Sequence, residues 1–297
     1  MLDPRVRTFL TACDTLSFTR AAQELHITQP AVSQQIAYLE HEYGAPLFER
    51  AGRSLRLTPA GQLVRDALGA MAHDEGLLRE RVQSVARGTA RPLRVGMTMT
   101  AGRYVVGSAL GAWLGEHPET RMSVTSADTA ALLGQLRTGE LDCAFVEGFF
   151  DAGAFACDAL CREELICVAA PGLEVPRGPA RFEDLLGVPL LVREPGSGTR
   201  AVLEHALAAR NLSPSSFADV SEIGSLEVLK LWCRQGLGMA FLYRAAVEGE
   251  LADGTLRQVP LAEQPITHDI AFVRLPDSVF EPEFAALFSA IRKAKSR

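Results

Sequence analysis

Apolar positions at the start of the chain recur with helical spacing. Val6, Phe9, Leu10 and Cys13 fall at i, i+3, i+4 and i+7, one buried stripe. Asp3 before Pro4 supplies a side-chain acceptor at the cap and a proline at the first helical position, which marks a helix start. Ser17 caps a second helix with Phe18, Ala21, Ala22 and Leu25 inward; His26 and Ile27 turn the chain; Thr28 caps a third helix that carries Pro30 in its first turn. With Val32, Ile36 and Leu39 facing the core, the helical angle turns Pro30 and Gln34 outward and sets Gln29 and Ser33 beside them. From His26 to Ile36 no residue is Asp, Glu, Lys or Arg. An exposed helix face made of amides and hydroxyls needs a neutral hydrogen-bonding partner.

Two short helices, a tight turn and a third helix with such residues at its N-terminal end match a helix-turn-helix, whose recognition helix brings its first residues to base edges. Gln can bond adenine bidentately, Ser can serve either base pair, and a helix N-terminus favours a phosphate. "LFERAGRSLRL", residues 47 to 57, reads as two short strands around a turn, with Arg50, Arg53 and Arg56 opposed only by Glu49. Such a hairpin is a wing that grips sugar and phosphate without reading sequence. A small helical domain with a solvated hairpin would show the same spacing. Thr58 and Pro59 then open a helix that nothing breaks before Gly88. Val64, Leu68, Met71, Glu75, Leu78, Val82 and Val85 follow alternating steps of four and three, the seam of a helix pair. At ~1.5 Å per residue it spans about 43 Å, which suits a dimerisation helix better than a surface helix, although packing along its own domain would fit the period too.

After "RGTARP" the pattern alternates strand and helix. "LRVGMT", "MSVTSA" and "CAFVEG" are strands, with helices over residues 102–116 and 129–138; "ELICVAAP", "PLLVR", "FADVSEI" and "GMAFL" form a second set, with helices over about 198–210 and 225–235. "HDIAFVRL" and a helix over about 282–295 lead back to the first set. This is α/β with a mostly parallel sheet. The chain thus divides into residues 1–58, a helix over 59–88, and residues 92–297 in two lobes, about 92–163 with 267–297 and about 164–266.

Composition changes this picture little. With 297 residues, 47% hydrophobic and 22% charged, the chain suits about two domains of an ordinary soluble protein. No apolar run reaches the ~18 residues of a membrane span, and no signal-peptide core opens the sequence, so a cytoplasmic protein with no membrane partner is expected. Six irregularly spaced cysteines are expected as thiols. The net charge of −6 argues against nucleic acid until it is divided: residues 1–90 hold ten Arg and ten acidic residues, leaving twenty basic and twenty-six acidic beyond. The first ninety residues contain no Lys; Arg suits bidentate recognition of phosphate or guanine, and an arginine-biased genome would give the same preference.

The stretch "SFTRAAQELHITQPAVSQQIAYLEHEYGAPLFERAGRSLRLTPAG", residues 17 to 61, resembles the winged helix-turn-helix of LysR-type transcriptional regulators, and "GELDCAFVEG", "GSLEVLKLWCRQGLGMAFL" and "LADGTLRQVPL" match phrases of their effector domain. The resemblance implies an N-terminal all-α winged helix-turn-helix followed by a two-lobed α/β periplasmic-binding-protein-like effector domain. It implies double-stranded promoter DNA as partner, with Thr28, Gln29, Pro30, Ser33, Gln34, Arg50, Arg53 and Arg56 at the DNA, and self-association as homodimer or homotetramer. RNA polymerase is a further expected partner. The family often has Arg at the position of Gln34.

In open α/β sheets ligands sit at the carboxyl ends of strands. Here those places are Thr98, Met99 and Thr100; Asp128 and Thr129; Glu147; "REPGSGTR" from Arg193 to Arg200, with Ser197, Gly198 and Thr199; and Gly224 with Ser225. The glycines of "REPGSGTR" admit a ligand to backbone N–H groups, hydroxyls add donors, and the helix start adds partial positive charge, so a small anionic effector is expected and no cofactor. A capped helix start with a glycine turn is the plainer account of the same residues. It is no phosphate-binding P-loop, because no Lys follows the second glycine. Similar loops in regulators of sulfur assimilation and carbon fixation point the same way. Control of the same regulator by cysteine redox state is the alternative, through Cys157, Cys161 and Cys167 with Cys143 and Cys233 flanking. No metal-ligand spacing or acid–base–nucleophile set emerges, so no catalytic or metal site is expected.

Overall fold

A computed structural model describes residues 3–51, 54–87, 92–176 and 178–295. The chain divides into two units: residues 1–91 with 137–139 and 276–280, and residues 92–136, 140–275 and 281–297.

In the first unit, α1 (Pro4–Thr15), α2 (Phe18–Leu25) and α3 (Gln29–Tyr43) precede the hairpin strands β1 (Phe48–Ala51) and β2 (Ser54–Leu57) and the helix α4 (Pro59–Arg87). The caps are those the sequence predicts: Asp3 accepts from the Arg5 N–H at 2.8 Å, Ser17 from Arg20 at 3.3 Å, and Thr28 from Ala31 at 3.4 Å. His26 ends α2 in the left-handed region at φ 55°, which produces the sharp turn into α3. Phe9, Ala21, Val32, Ile36 and Leu47 are buried together, and Phe48 meets Phe9 and Phe18 edge-on with ring centres 5.7 and 5.3 Å apart. Each fully buried large apolar side chain contributes about 1.5–3 kcal/mol, so this small core is held by few residues. Gly61 has no substitute in α4, because a Cβ there would lie 2.0 Å from the Leu47 carbonyl oxygen.

Helix α4 runs as far as predicted to Arg87, and Gly88, the expected breaker, lies outside the described residues. Along its seam Leu68 is buried, whereas Met71, Leu78, Val82 and Val85 are exposed. Ala70, His73 and Leu77 make a second, buried face that the spacing does not reveal. Beside it Asp74 accepts from Ser278 Oγ at 2.6 Å and from the Val279 N–H at 2.8 Å.

The second unit begins with β3 (Pro92–Met97), a π-helical turn over Ala101–Val106, α5 (Gly107–Glu116), β4 (Arg121–Ser126), α6 (Thr129–Arg137) and β5 (Cys143–Val146). It continues through β6 (Ala156–Ala169), α7 (Phe182–Leu185), β7 (Leu190–Arg193), α8 (Gly198–Ala208), β8 (Val220–Ile223), α9 (Leu226–Arg234) and β9 (Met239–Tyr243), then α10 (Arg244–Ala252), β10 (Arg257–Val259), β11 (Ile266–Arg274) and α11 (Glu281–Lys295). The sheet order is β4-β3-β5-β11-β6-β9-β7-β8, with β10 beside β6. β3 is parallel to β4 and β5, and β7 to β8 and β9; the antiparallel pair β11 and β6 joins these parallel halves. Leu132, Leu136, Val146 and Val273 pack on the first half, while Leu190, Leu203 and Phe241 and, separately, Leu191, Leu229 and Leu242 pack on the second.

Four expectations change. The sheet is not mostly parallel: its four parallel pairings are matched by four antiparallel ones, because β6 and β11 run against their neighbours. The helix read over residues 102–116 starts as a π-helical turn. The strand read at "ELICVAAP" begins earlier, at Ala156, because Arg274 bonds Asp158 at 2.6 Å and Arg162 bonds Asp269 at 2.8 Å across β11, pairing charged residues that read as loop. α7, α10 and β10 went unread, being four, nine and three residues long, with Gly249 inside α10 lowering its helical signal. Among the described residues no helix is long and apolar enough to cross a membrane.

Candidate nucleic-acid interface and effector cleft

On α3, Gln29, Pro30 and Gln34 are exposed and Ser33 is half-buried, as core packing of Val32, Ile36 and Leu39 requires. Gln29 Nε2 donates to Ser33 Oγ at 2.8 Å, which orders both side chains on the first turn. Thr28 is spent as the cap. Glu40, missed in the sequence, ties this helix to the wing: Oε1 accepts from the Leu47 and Phe48 N–H groups at 2.8 and 3.3 Å. In the hairpin Arg56 pairs with Glu49 and Arg50 with Leu55, so strand alternation sends the two arginines to opposite faces. Both are exposed, and Arg53 lies outside the described residues.

The predicted cleft residues lie in the second unit, and most are buried. Thr98, Thr100, Thr129, Glu147, Arg193, Ser197 and Thr199 all have 6% or less of their surface exposed, far below what an open polar groove would show. Glu147, just past β5, is the centre. Thr98 Oγ1 donates to Glu147 Oε2, Thr199 Oγ1 donates to Oε1 at 3.4 Å, and Thr129 Oγ1 donates to its backbone oxygen at 2.6 Å. Burial pushes the Glu147 carboxyl above the ordinary carboxylate range, against the hydrogen bonds of Thr98 and Thr199 and the charge of Arg193. Gly198 is fixed by this contact, since a Cβ on it would lie 2.2 Å from the Glu147 carbonyl oxygen.

Other expected members stand apart. Ser197 caps α8 by accepting from the Arg200 N–H at 3.5 Å, and Ser225 caps α9 by accepting from Val228 at 3.4 Å. Met99 is exposed and Thr100 buried, neither bonded to Glu147. Arg193 is held by Glu194 through two 2.7 Å bonds, and Arg200 by Glu204 and Glu222, each at 2.7 Å. The positive charge of both arginines in "REPGSGTR" is therefore matched by carboxylates. A second polar group went unread: buried Lys230 donates to Ala246 O at 2.6 Å and Tyr104 Oη at 3.2 Å, and pairs with Glu250 at 2.7 Å. Tyr104 lies on the π-helical turn and Lys230 on α9, so no sequence spacing links them.

The six cysteines are free thiols, and burial pushes every one upward: Cys13 and Cys233 to about 12, with Cys143, Cys157, Cys161 and Cys167 moving in the same direction. A raised thiol is a poor nucleophile. Among the described residues no group of His, Cys, Asp and Glu could hold a metal.

Comparison with known proteins follows both halves of this architecture. Residues 5–62 match the family model "Bacterial regulatory helix-turn-helix protein, lysR family", and residues 86–296 match "LysR substrate binding domain". The chain belongs to the LysR family. It is similar to the HTH-type transcriptional regulator CbbR of Rhodospirillum rubrum, 33% identical over 258 residues that cover 86% of this chain and 83% of CbbR. It is also 33% identical over 234 residues to a protein named Phosphonates import ATP-binding protein PhnC of Anaeromyxobacter dehalogenans; the match covers 79% of this chain and 47% of that one, so the chain spans about half of that relative. Among solved structures, a cysteine mutant of Corynebacterium glutamicum OxyR with hydrogen peroxide bound aligns at TM-score 0.62 and 25% identity over 98% of this chain and 92% of that one. A LysR-type transcriptional regulator thus combines here its helix-turn-helix with its effector-binding domain.

Proposed function

We propose that this LysR-type regulator reads promoter DNA with the outer face of α3 and answers to a small anionic effector held among Thr98, Thr129, Glu147, Gly198 and Thr199. The observation that carries the DNA half is the exposure of Gln29, Pro30 and Gln34 on a helix turn without formal charge, since base edges are neutral hydrogen-bonding surfaces. Arg50 and Arg56 supply phosphate attraction from the wing. The exposed apolar seam of α4, Met71, Leu78, Val82 and Val85, supports pairing with a second copy, which would set two recognition helices on half-sites about one helical turn apart. Tetramer formation and contact with RNA polymerase extend the same reading.

The effector half rests on hydroxyl donors gathered beside the N-terminal turn of α8. An effector acts by binding one arrangement of the domain better than another. The upward shift of every thiol gives redox control no support. The test is retention of a promoter fragment against random duplex at two salt concentrations, then a thermal-shift screen of small anions. Specific retention that falls steeply with salt, and stabilisation lost on T199A substitution, support the reading. Equal retention of promoter and random duplex overturns it.

A further inference from the structure

Resting on that reading of an anionic effector, we propose that Glu147 is the proton acceptor of the cleft: the oxyanion and the ionised carboxylate compete for the same hydroxyl donors, so effector binding takes up one proton at Glu147. Hydroxyl hydrogens are the limiting quantity. A threonine hydroxyl has one hydrogen to give. Thr98 gives its hydrogen to Oε2 and Thr199 to Oε1, while Thr129 gives its own to the backbone oxygen of the same residue. With Glu147 ionised, all three hydrogens are taken and a negative charge faces any arriving anion. With Glu147 protonated, its O–H donates to a threonine oxygen, that threonine's hydrogen turns free, and the charge is gone.

No neighbouring cation offers another way out. Arg193, the nearest positive influence on Glu147, is bound twice by Glu194. Arg200 is committed to Glu204 and Glu222. From β9 comes the Tyr243 hydroxyl, buried and without a hydrogen-bond partner. From β11 comes His268, whose Nε2 lies 3.0 Å from the Gly148 carbonyl oxygen, and from the loop before α6 comes Asp128, packed against Gly196. Tyr243 and Asp128 bring no positive charge to Glu147, and the His268 ring nitrogen is engaged by a carbonyl oxygen. Burial works against the charged carboxylate in the same direction as the loss of its hydroxyl donors to an oxyanion would.

The test is titration calorimetry of the full chain with sulfate, thiosulfate and methanesulfonate, none of which titrates between about pH 6 and 9, in two buffers of different ionisation enthalpy. At the alkaline end the binding heat is expected to depend on the buffer as uptake of one proton requires, and affinity is expected to fall by up to about tenfold per pH unit above the Glu147 pKa. E147Q, which does not titrate, is expected to bind with no uptake and a flat pH profile. E194Q alters affinity and keeps the uptake. Equal heats in both buffers with a flat wild-type profile overturn the coupling and leave the anionic reading standing. Failure of all three anions to bind at every pH overturns both, and the wild-type heats decide the matter even if E147Q does not fold.

Discussion

The outer face of α3 and the lining of the cleft are both built from neutral hydrogen-bonding side chains, yet they lie at opposite ends of the burial range. Gln29 and Gln34 stand exposed on a helix turn that carries no formal charge. Thr98, Thr129 and Thr199 are buried around a carboxyl group that belongs to the protein itself. An exposed amide is hydrated at no cost until DNA arrives, so the first surface needs no internal partner. Hydroxyls removed from water must be satisfied at once, and Glu147 satisfies them. The outer face of α3 keeps its amides in reach of solvent, with Gln29 tied only to its helix neighbour Ser33, whereas the hydroxyls around Glu147 are occupied out of reach of water.

Four substitutions test that contrast. The largest effect is expected from Gly198→Ala, because the new methyl meets the main chain of Glu147, which cannot move aside as a side chain would. A loss of about 3 kcal/mol in denaturant unfolding is expected, and a near-neutral result would mean the cleft is looser than drawn. Gln34→Ala is expected to remove about 1–3 kcal/mol of discrimination between operator and random duplex while moving stability by less than about 0.5 kcal/mol. Binding isotherms on both duplexes check it, and equal loss on both would place Gln34 among phosphate contacts. Arg56→Ala should weaken binding to every duplex alike and reduce the salt slope by about 1, read from the affinity at several salt concentrations.

The smallest effect at neutral pH, and the only one that grows with alkalinity, concerns Glu147→Gln. The folded-state pKa of Glu147 is raised, so its contribution to stability is full below the unfolded value and is lost as pH rises through the folded value. Glutamine has no such loss. The melting temperature of E147Q should therefore gain on that of the wild type as pH increases, and a constant difference across the range would show that Glu147 does not titrate there.

The two surfaces also differ in how far they were legible. The α3 face could be read from spacing alone, since Val32, Ile36 and Leu39 fix which side of one helix is buried and the remainder follows from 100° per residue. In the wing the same kind of rule worked less well: residue types identified the hairpin, while pairing register decided that Arg50 and Arg56 face opposite ways. In the second unit, the strand ends named from the sequence do bring Thr98, Thr129, Glu147, Gly198 and Thr199 together. Arg193 and Glu194 are sequence neighbours and Arg200 and Glu204 lie four apart on one helix, so those pairings are local; only the reach of Arg200 to Glu222 on β8 came with three-dimensional placement.

Sequence by itself determined the local features of this protein: the three capped helices, the uncharged outer face of α3, the long seam of α4 and the alternation of strand and helix beyond it. Each depends on residues within a few turns of one another, where helical and strand periods are fixed by backbone geometry. Tertiary structure alone decided that β6 begins among charged residues, that Tyr104 meets Lys230, and that buried Glu147 holds the hydroxyls of Thr98 and Thr199. Those partners are separated by 49 to 126 positions, and the electrostatics of a buried group depend on what surrounds it in space, which no period along the chain encodes.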